Sequence, residues 1–342
     1  MKTMIRRGSL GLVAVLLSAA SWSCAASLPA HAKASDRPAS TAPDSKAVMW
    51  REPGPAASLN LLYGAGGKAH APDPRSTYTF LEEDLLASSP KFSVKDAQGV
   101  EWKVKLGQET GSETAAARFL WAAGYFVDED YYLAELTVKG LPELHRGQEF
   151  VFAAETVRGA RLERKLPDVG KHGTWDWFDN PFTGTRALNG LRIMMALVNN
   201  WDLKAVNNQV YDMAGGHRYV VTDLGASFGN TGNVMTRSKS EPLEYADAAF
   251  IEKSTPNSVD LVMHSRPFVL SAIDLPNYQM RARIEGITRT IPRGDARWLG
   301  RRLSQLSDAQ IGDALRAGGY SAQDVAVYTH AFRTRLSALK GL

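Results

Sequence analysis

Asp202, Asn207 and Asp223 are residues whose types and spacing allow joint chemistry. Asp202-Leu203-Lys204-Ala205-Val206-Asn207 follows an apolar run ending at Val198. Residues 209–211 and 218–222 then read as two short strands, and Ala214-Gly215-Gly216-His217 supplies a turn, so the segment predicts a β-hairpin. The open ends of a hairpin lie about 5 Å apart across the ladder. Asn207 and Asp223 flank those ends, so two oxygen-bearing side chains distant in sequence become neighbours. Paired oxygen ligands, with room for water and phosphate, are what Mg²⁺ requires. Asp202, one short loop earlier, is placed to orient or deprotonate a substrate hydroxyl. Lys204 is placed to neutralise charge on a transferred phosphoryl group. The chemistry this points to is metal-assisted phosphoryl transfer.

The elements that must position these residues are legible in the periodicity. From 77 to 106 the pattern is β: Phe92 and Val94 alternate, Asp96-Ala97-Gln98-Gly99 turns, and Trp102, Val104 and Leu106 alternate again. Lys103 and Lys105 share the opposite face, either as a solvated strand edge or as part of a site. A helix follows, in which Thr110 and Glu113 match a capping box, Ala116, Phe119, Leu120 and Ala123 make an apolar stripe, and Gly124 ends it. Further strand-like runs occupy 131–138, 150–157 and 160–164. The segment 173–184 is aromatic and turn-rich. Thr185 then caps a helix carrying Leu188, Leu191, Met194, Met195 and Val198. The last hundred residues are mainly helical, notably 308–317 and 321–339. No internal repeat is present. The pattern predicts an α+β molecule of two lobes.

The residues now match a known pattern. Asp202-Leu203-Lys204-x-x-Asn207, a hairpin, and Asp223-Leu224-Gly225 resemble the catalytic loop and metal-binding triplet of the protein kinase-like superfamily. Trp102-Lys103-Val104-Lys105 resembles the strand that carries the ATP-contacting lysine, and Glu113 sits where its partner stands in the next helix. The resemblance covers roughly residues 77–230 and implies a two-lobed kinase-like fold with a smaller β-rich N-lobe (59–140) and a mainly helical C-lobe (141–342). It implies that Lys105 holds nucleotide phosphates, Glu113 orients Lys105, Asp202 acts as base, and Asn207 and Asp223 bind Mg²⁺ or Mn²⁺ with ATP. The spacing leaves Lys103 and Lys105 open as the contacting lysine. No G-x-G-x-x-G precedes Lys105, where Ser88-Ser89-Pro90 takes the place of the phosphate-covering turn. Asn200-Trp201 stands in place of His-Arg, and no A-P-E follows Asp223. These departures point to atypical branches: HipA-type, lipid-kinase-like or secreted kinases. The acceptor, whether protein, lipid or small molecule, is left open. So is a pseudokinase that keeps the fold as a binding platform.

Two other motifs compete. Gly225-Ala226-Ser227-Phe228-Gly229 matches the G-x-S-x-G nucleophile elbow and would make Ser227 a hydrolase nucleophile, although Asn230-Thr231-Gly232-Asn233 is poor helix material. Gly64-Ala65-Gly66-Gly67-Lys68 hints at a P-loop but lacks the first glycine and the metal-binding hydroxyl, so it reads as a turn. The histidines show no metal-ligand spacing, which argues against structural zinc.

The N-terminus reads as an export signal. Lys2, Arg6 and Arg7 precede an apolar stretch from residue 10 to 20, and Ala30-His31-Ala32 supplies a cleavage site. The stretch is short for a membrane span and broken by serines. Ser21 and Trp22 suit a lipidated Cys24 poorly. Removing residues 1–32 takes away one Lys, two Arg and no acid, so the net charge of +4 falls to +1. A nearly neutral chain offers no broad footprint for nucleic acid. The only cysteine, Cys24, leaves with the signal, so the expected periplasmic or secreted protein relies on its core rather than on disulfides. Residues 33–58, rich in Ala, Pro and Ser, predict a flexible tether.

Overall fold

Alternating apolar residues fold the first part of the chain into a curled sheet. The computed structural model describes residues 46–342 apart from 87–88, 167–168, 214, 232–236 and 264–269. The signal segment, Cys24, most of the tether and Ser88 therefore lie outside the described residues. Strands β2 (Thr77–Asp84), β3 (Lys91–Lys95), β4 (Glu101–Lys105), β5 (Asp130–Lys139), β6 (Val151–Ala153) and β7 (Thr156–Arg164) form one sheet in the order β4-β3-β2-β5-β7-β6. β1 (Ala47–Val48) lies elsewhere. β4 also pairs with β7, which closes five strands on themselves. Tyr78, Phe92, Val94, Trp102, Val104, Val138 and Leu162 fill the interior, each burial contributing about 1.5–3 kcal/mol before entropy is charged against it. Trp102 and Val104 face inward, so alternation turns Lys103 and Lys105 to the other face.

Helix α1 (Thr110–Ala123) follows β4, and its five alanines at 115–117 and 122–123 are all buried. Small side chains let it pack on nearly every side. Gly124, at φ 102°, closes it with N–H bonds to the carbonyls of Leu120 and Trp121. The predicted capping box does not form. Glu109 occupies the cap position, Thr110 Oγ1 donates to the carbonyls of Gly107 and Gly159, and Glu113 turns to Lys105 instead.

The rest of the chain is mainly helical: α2 (Arg186–Leu197), α3 (Pro242–Asp247), α4 (Leu270–Ile273), α5 (Leu275–Gly286), α6 (Arg293–Leu303), α7 (Asp308–Ala317) and α8 (Ala322–Gly341). Among them sit β8 (Gly170–Gly173), β9 (Asn208–Met213) and β10 (Gly216–Val221), joined with β1 in the order β1-β10-β9-β8. β11 (Ile251–Ser254), β12 (Ser258–Leu261) and β13 (Ile291–Pro292) make a small third sheet. A strand-rich N-terminal region and a helical C-terminal region are thus present, as the sequence implies.

Three boundaries differ from expectation. The chain is structured before residue 59: β1 pairs in parallel with β10, Met49 is buried, and Arg51 N donates to Gly124 O at 2.9 Å. Two residues are too short a strand to show periodicity. The strand-rich part runs on to Arg164 rather than ending at 140, because β7 closes the sheet. The single run expected over 150–157 is two strands, turned at Glu155, which adopts φ 62°. Among the described residues no helix is long and apolar enough to cross a membrane.

Candidate active site

Thr185 caps α2 by accepting from Leu188 N at 3.2 Å, and the apolar helix drives its far end into the core. Asn199 follows at φ 54°, a left-handed conformation that asparagine tolerates, and reverses the chain. Its Nδ2 donates to Gly229 O at 2.7 Å. Asn200 is fully buried and uses both ends of its amide. Oδ1 accepts from Asp202 N at 3.1 Å, and Nδ2 donates to Asp223 O at 3.1 Å. One side chain therefore ties the Asp202 loop to the Asp223 strand end.

The β9–β10 hairpin forms in register, with Asn208 opposite Val221. One step beyond, Thr222 N and Oγ1 both donate to Asn207 O, at 2.9 and 3.2 Å. Asn207 and Asp223 thus stand at the open end of the ladder. Asn207 Nδ2 donates to the backbone and carboxylate oxygens of Asp202, at 2.7 and 3.2 Å. Lys204 Nζ is 2.8 Å from Asp202 Oδ1. Asp202, Lys204 and Asn207 therefore form one cluster, with the Asp202 side chain a quarter exposed.

From the sheet side, Lys105 reaches the same place. Its ammonium is buried and lies 2.9 Å from Glu113 Oε2, 2.9 Å from Glu109 Oε1 and 3.5 Å from Asp223 Oδ1. Lys103 points to Asp84 at 3.7 Å, so Lys105 is the lysine that meets Glu113. Burial pushes the Lys105 ammonium down, but Glu113, Asp223 and Glu109 outweigh it and hold the pKa above the ordinary value. Burial pushes the Glu113 carboxyl up, against the pull of Arg161 and Lys105. The two tendencies oppose each other across one contact. With Lys105 at 2.9 Å and Arg161 Nε at 3.5 Å from the same oxygen, we assign the ionised carboxylate.

Glu109 is a site residue that no motif in the sequence marks. Burial alone would raise its pKa, yet Lys105, Lys239 and Ser89 bring it down to about 2. Lys239 Nζ and Ser89 Oγ each lie 2.7 Å from its carboxylate. Glu109 thereby links Lys105 to the chain beyond Asp223. The sequence signal was weak: one glutamate four residues after the lysine. In the sequence Asn200 stands out only as a departure from a motif; the structure makes it the joint between the Asp202 loop and Asp223. Beside Lys105, Arg161 is buried against Asp130 and Glu163. A cavity of about 340 Å³ opens on this face of β4, lined by Lys103, Glu163, Leu166, Val169, Tyr211 and Val220 among others.

The competing motifs gather no chemistry. Ser227 is fully buried, its Oγ has no hydrogen-bond partner among the described residues, and Ser240 N donates to its carbonyl at 3.0 Å. A nucleophile needs a base and access, and Ser227 has neither. Gly64–Gly66 and Lys68–His70 are two short 3₁₀ turns, and a Cβ on Gly66 would lie 2.3 Å from the Tyr131 hydroxyl, so that glycine serves close packing.

No protein-family model matches the chain, and no curated protein matches it. Solved structures do. A Helicobacter pylori proinflammatory kinase, CtkA, is 12% identical over 77% of this chain and 93% of its own, with a TM-score of 0.41. The Golgi casein kinase is 9% identical, with 77% and 74% covered and a TM-score of 0.31. The same kinase with Mn/ADP bound is 10% identical over the same shares, with a TM-score of 0.32.

Proposed function

We propose that this protein is an exported, atypical kinase-like phosphotransferase using ATP with Mg²⁺ or Mn²⁺. One observation carries the reading: buried Lys105 joins Glu113 of α1 to Asp223 at the hairpin end, beside the Asp202–Asn207 cluster. Lys105, Glu113 and Asp223 touch directly, and Asn200 and Asn207 tie the Asp202 loop to the Asp223 end of the hairpin. A structural ion pair alone does not need the second half of that set.

The donor set fits a hard divalent ion. Asp223 offers a carboxylate whose side chain is 35% exposed, and Asn207 offers an amide oxygen while its Nδ2 is turned to Asp202. When bound there, such an ion neutralises phosphate charge. Lys105 would bind phosphate oxygens as a point charge, held in place by Glu113. Asp202 would accept the acceptor hydroxyl's proton, oriented by Asn207 and with Lys204 offsetting charge alongside. The cavity lined by Val169 and Val220 is of a size for a nucleotide base.

Thermal melting with millimolar ATP and Mn²⁺ tests the proposal. The midpoint should rise, as expected for a ligand that binds only the folded state, and the rise should vanish in Asp223→Ala. No rise in the wild type would overturn nucleotide use. A second reading, a platform that binds without transfer, is favoured by Glu109, which already engages Lys105 where phosphate would lie. ATP hydrolysis or transfer that disappears in Asp202→Ala, with the melting shift kept, would exclude the platform.

A further inference from the structure

Away from this site, the four-stranded sheet brings together three side chains whose sequence spacing gave no sign of it. His172 is on β8, Asp212 on β9 and His217 on β10, three neighbouring strands. Asp212 and His217 are direct cross-strand partners, so they share a face. β8 pairs Gly170 with Asp212, Lys171 with Tyr211 and then Gly173 with Val210, which leaves His172 as the extra residue of a bulge. A bulge re-aims a side chain, and here His172 Nδ1 comes to 3.3 Å from Asp212 Oδ1. His217 Nδ1 lies 2.7 Å from the same oxygen, and the two imidazole rings are 4.5 Å apart.

We propose that His172, Asp212 and His217 form a second metal site, for a borderline first-row transition ion of the Zn²⁺ type. The ligand atoms all lie within 4.8 Å of one another. Tetrahedral zinc, with bonds of about 2.0–2.1 Å, holds neighbouring ligand atoms about 3.3 Å apart. One pair already has that separation, and His217 Nδ1 and Asp212 Oδ1, now 2.7 Å apart, would open slightly to reach it. Two imidazoles and one carboxylate suit Zn²⁺, and Ni²⁺ or Cu²⁺ in proportion to their general affinities, whereas the oxygen set at Asn207 and Asp223 suits Mg²⁺ or Mn²⁺. The His172 and Asp212 side chains are about half exposed, at 53% and 50%, so ion and water can enter and a fourth position stays open. An ion here would staple β8, all four residues of which are exposed, to the hairpin that carries Asn207 and Asp223.

Isothermal titration of the full chain with Zn²⁺ tests this, with Co²⁺ as a spectroscopic substitute. One equivalent should bind, and Co²⁺ should give the visible absorption of a low-coordinate nitrogen–oxygen site. His172→Ala and His217→Ala should each weaken binding at least about tenfold, the smallest loss commonly seen even for an outer-shell partner. His145→Ala, at an exposed histidine beside Glu83, should leave it unchanged. Absence of Zn²⁺ binding at submillimolar concentration would overturn the assignment. So would binding that persists in the His172→Ala/His217→Ala double variant, whose fold circular dichroism would verify. Neither outcome bears on ATP use at Asp223.

Discussion

Glu109 touches Lys105, Lys239 and Ser89, so one carboxylate answers two cations and a hydroxyl. Its pKa is brought down to about 2 despite burial, from an ordinary 4.5. A depressed carboxylate contributes stability above its unfolded pKa and loses it as pH falls through the folded one. Glu109→Gln should therefore lower unfolding free energy by about 1–3 kcal/mol at pH 7, the range for losing charge-assisted hydrogen bonds. The gap from wild type should narrow as pH falls below about 4.5, where the unfolded chain begins to take up the proton. Urea unfolding between pH 7 and pH 3 measures it, and a gap of constant size would show that the charge of Glu109 contributes nothing. Glu113 shares the Lys105 ammonium with Glu109, so the same pH series in a Glu113→Gln background separates the two carboxylates.

The site loops are held by the ends of elements rather than by their middles. Arg335 of α8 is buried and donates to Asn199 Oδ1 at 2.8 Å, to Leu197 O at 3.1 Å and to Tyr245 O at 2.8 Å. It joins the C-terminal helix to the end of α2, one residue before Asn200. Arg335→Met keeps the apolar stem but removes these donors: Leu197 O still accepts from the Tyr245 hydroxyl at 2.7 Å, whereas buried Asn199 Oδ1 loses the guanidinium that held it at 2.8 Å. The expected loss is at least about 2–3 kcal/mol, read by denaturant unfolding. A change below 0.5 kcal/mol, the size common for surface substitutions, would remove Arg335 from this role. How much of this was legible depends on reach. The hairpin was readable because its strands and glycine turn lie within fifteen residues, and β3 and β4 because strict alternation marks them. The tether's early end was hidden because Ala47–Val48 gains order only from a strand far along the chain. Thr110 and Glu113 matched a local cap, but a buried lysine competes better for that carboxylate than a helix N–H does. The His172–Asp212–His217 cluster was invisible because three strands and a bulge, not spacing, create it.

At the scale of the whole molecule, α1 belongs to both regions. It follows β4 in the sheet, yet Phe119 stacks on Phe332 of α8 at 4.3 Å, and Ser112 Oγ donates to Gly225 O at 2.7 Å. Its first turn meets the end of α7 backbone to backbone: a Cβ on Gly318 would lie 2.4 Å from Gly111 O, and one on Gly111 would lie 2.4 Å from Gly318 O. Gly318 has φ −85°, which alanine adopts freely, so the cost of a side chain there is steric and not conformational. Gly318→Ala must push α1 and α7 apart, and overpacking of this kind costs about 1–3 kcal/mol. If α1 couples the regions, that cost is felt by both. Sheet and helices should unfold in one transition, with far-UV circular dichroism and tryptophan fluorescence giving the same midpoint, and Gly318→Ala should lower both midpoints together with the slope unchanged. Trp102 lies in the sheet interior and Trp175 in the helical core, so fluorescence samples both. Two separate transitions, with only the helical one shifted, would mean that α1 is not a fixed link, and that Glu113 can move relative to Asp223.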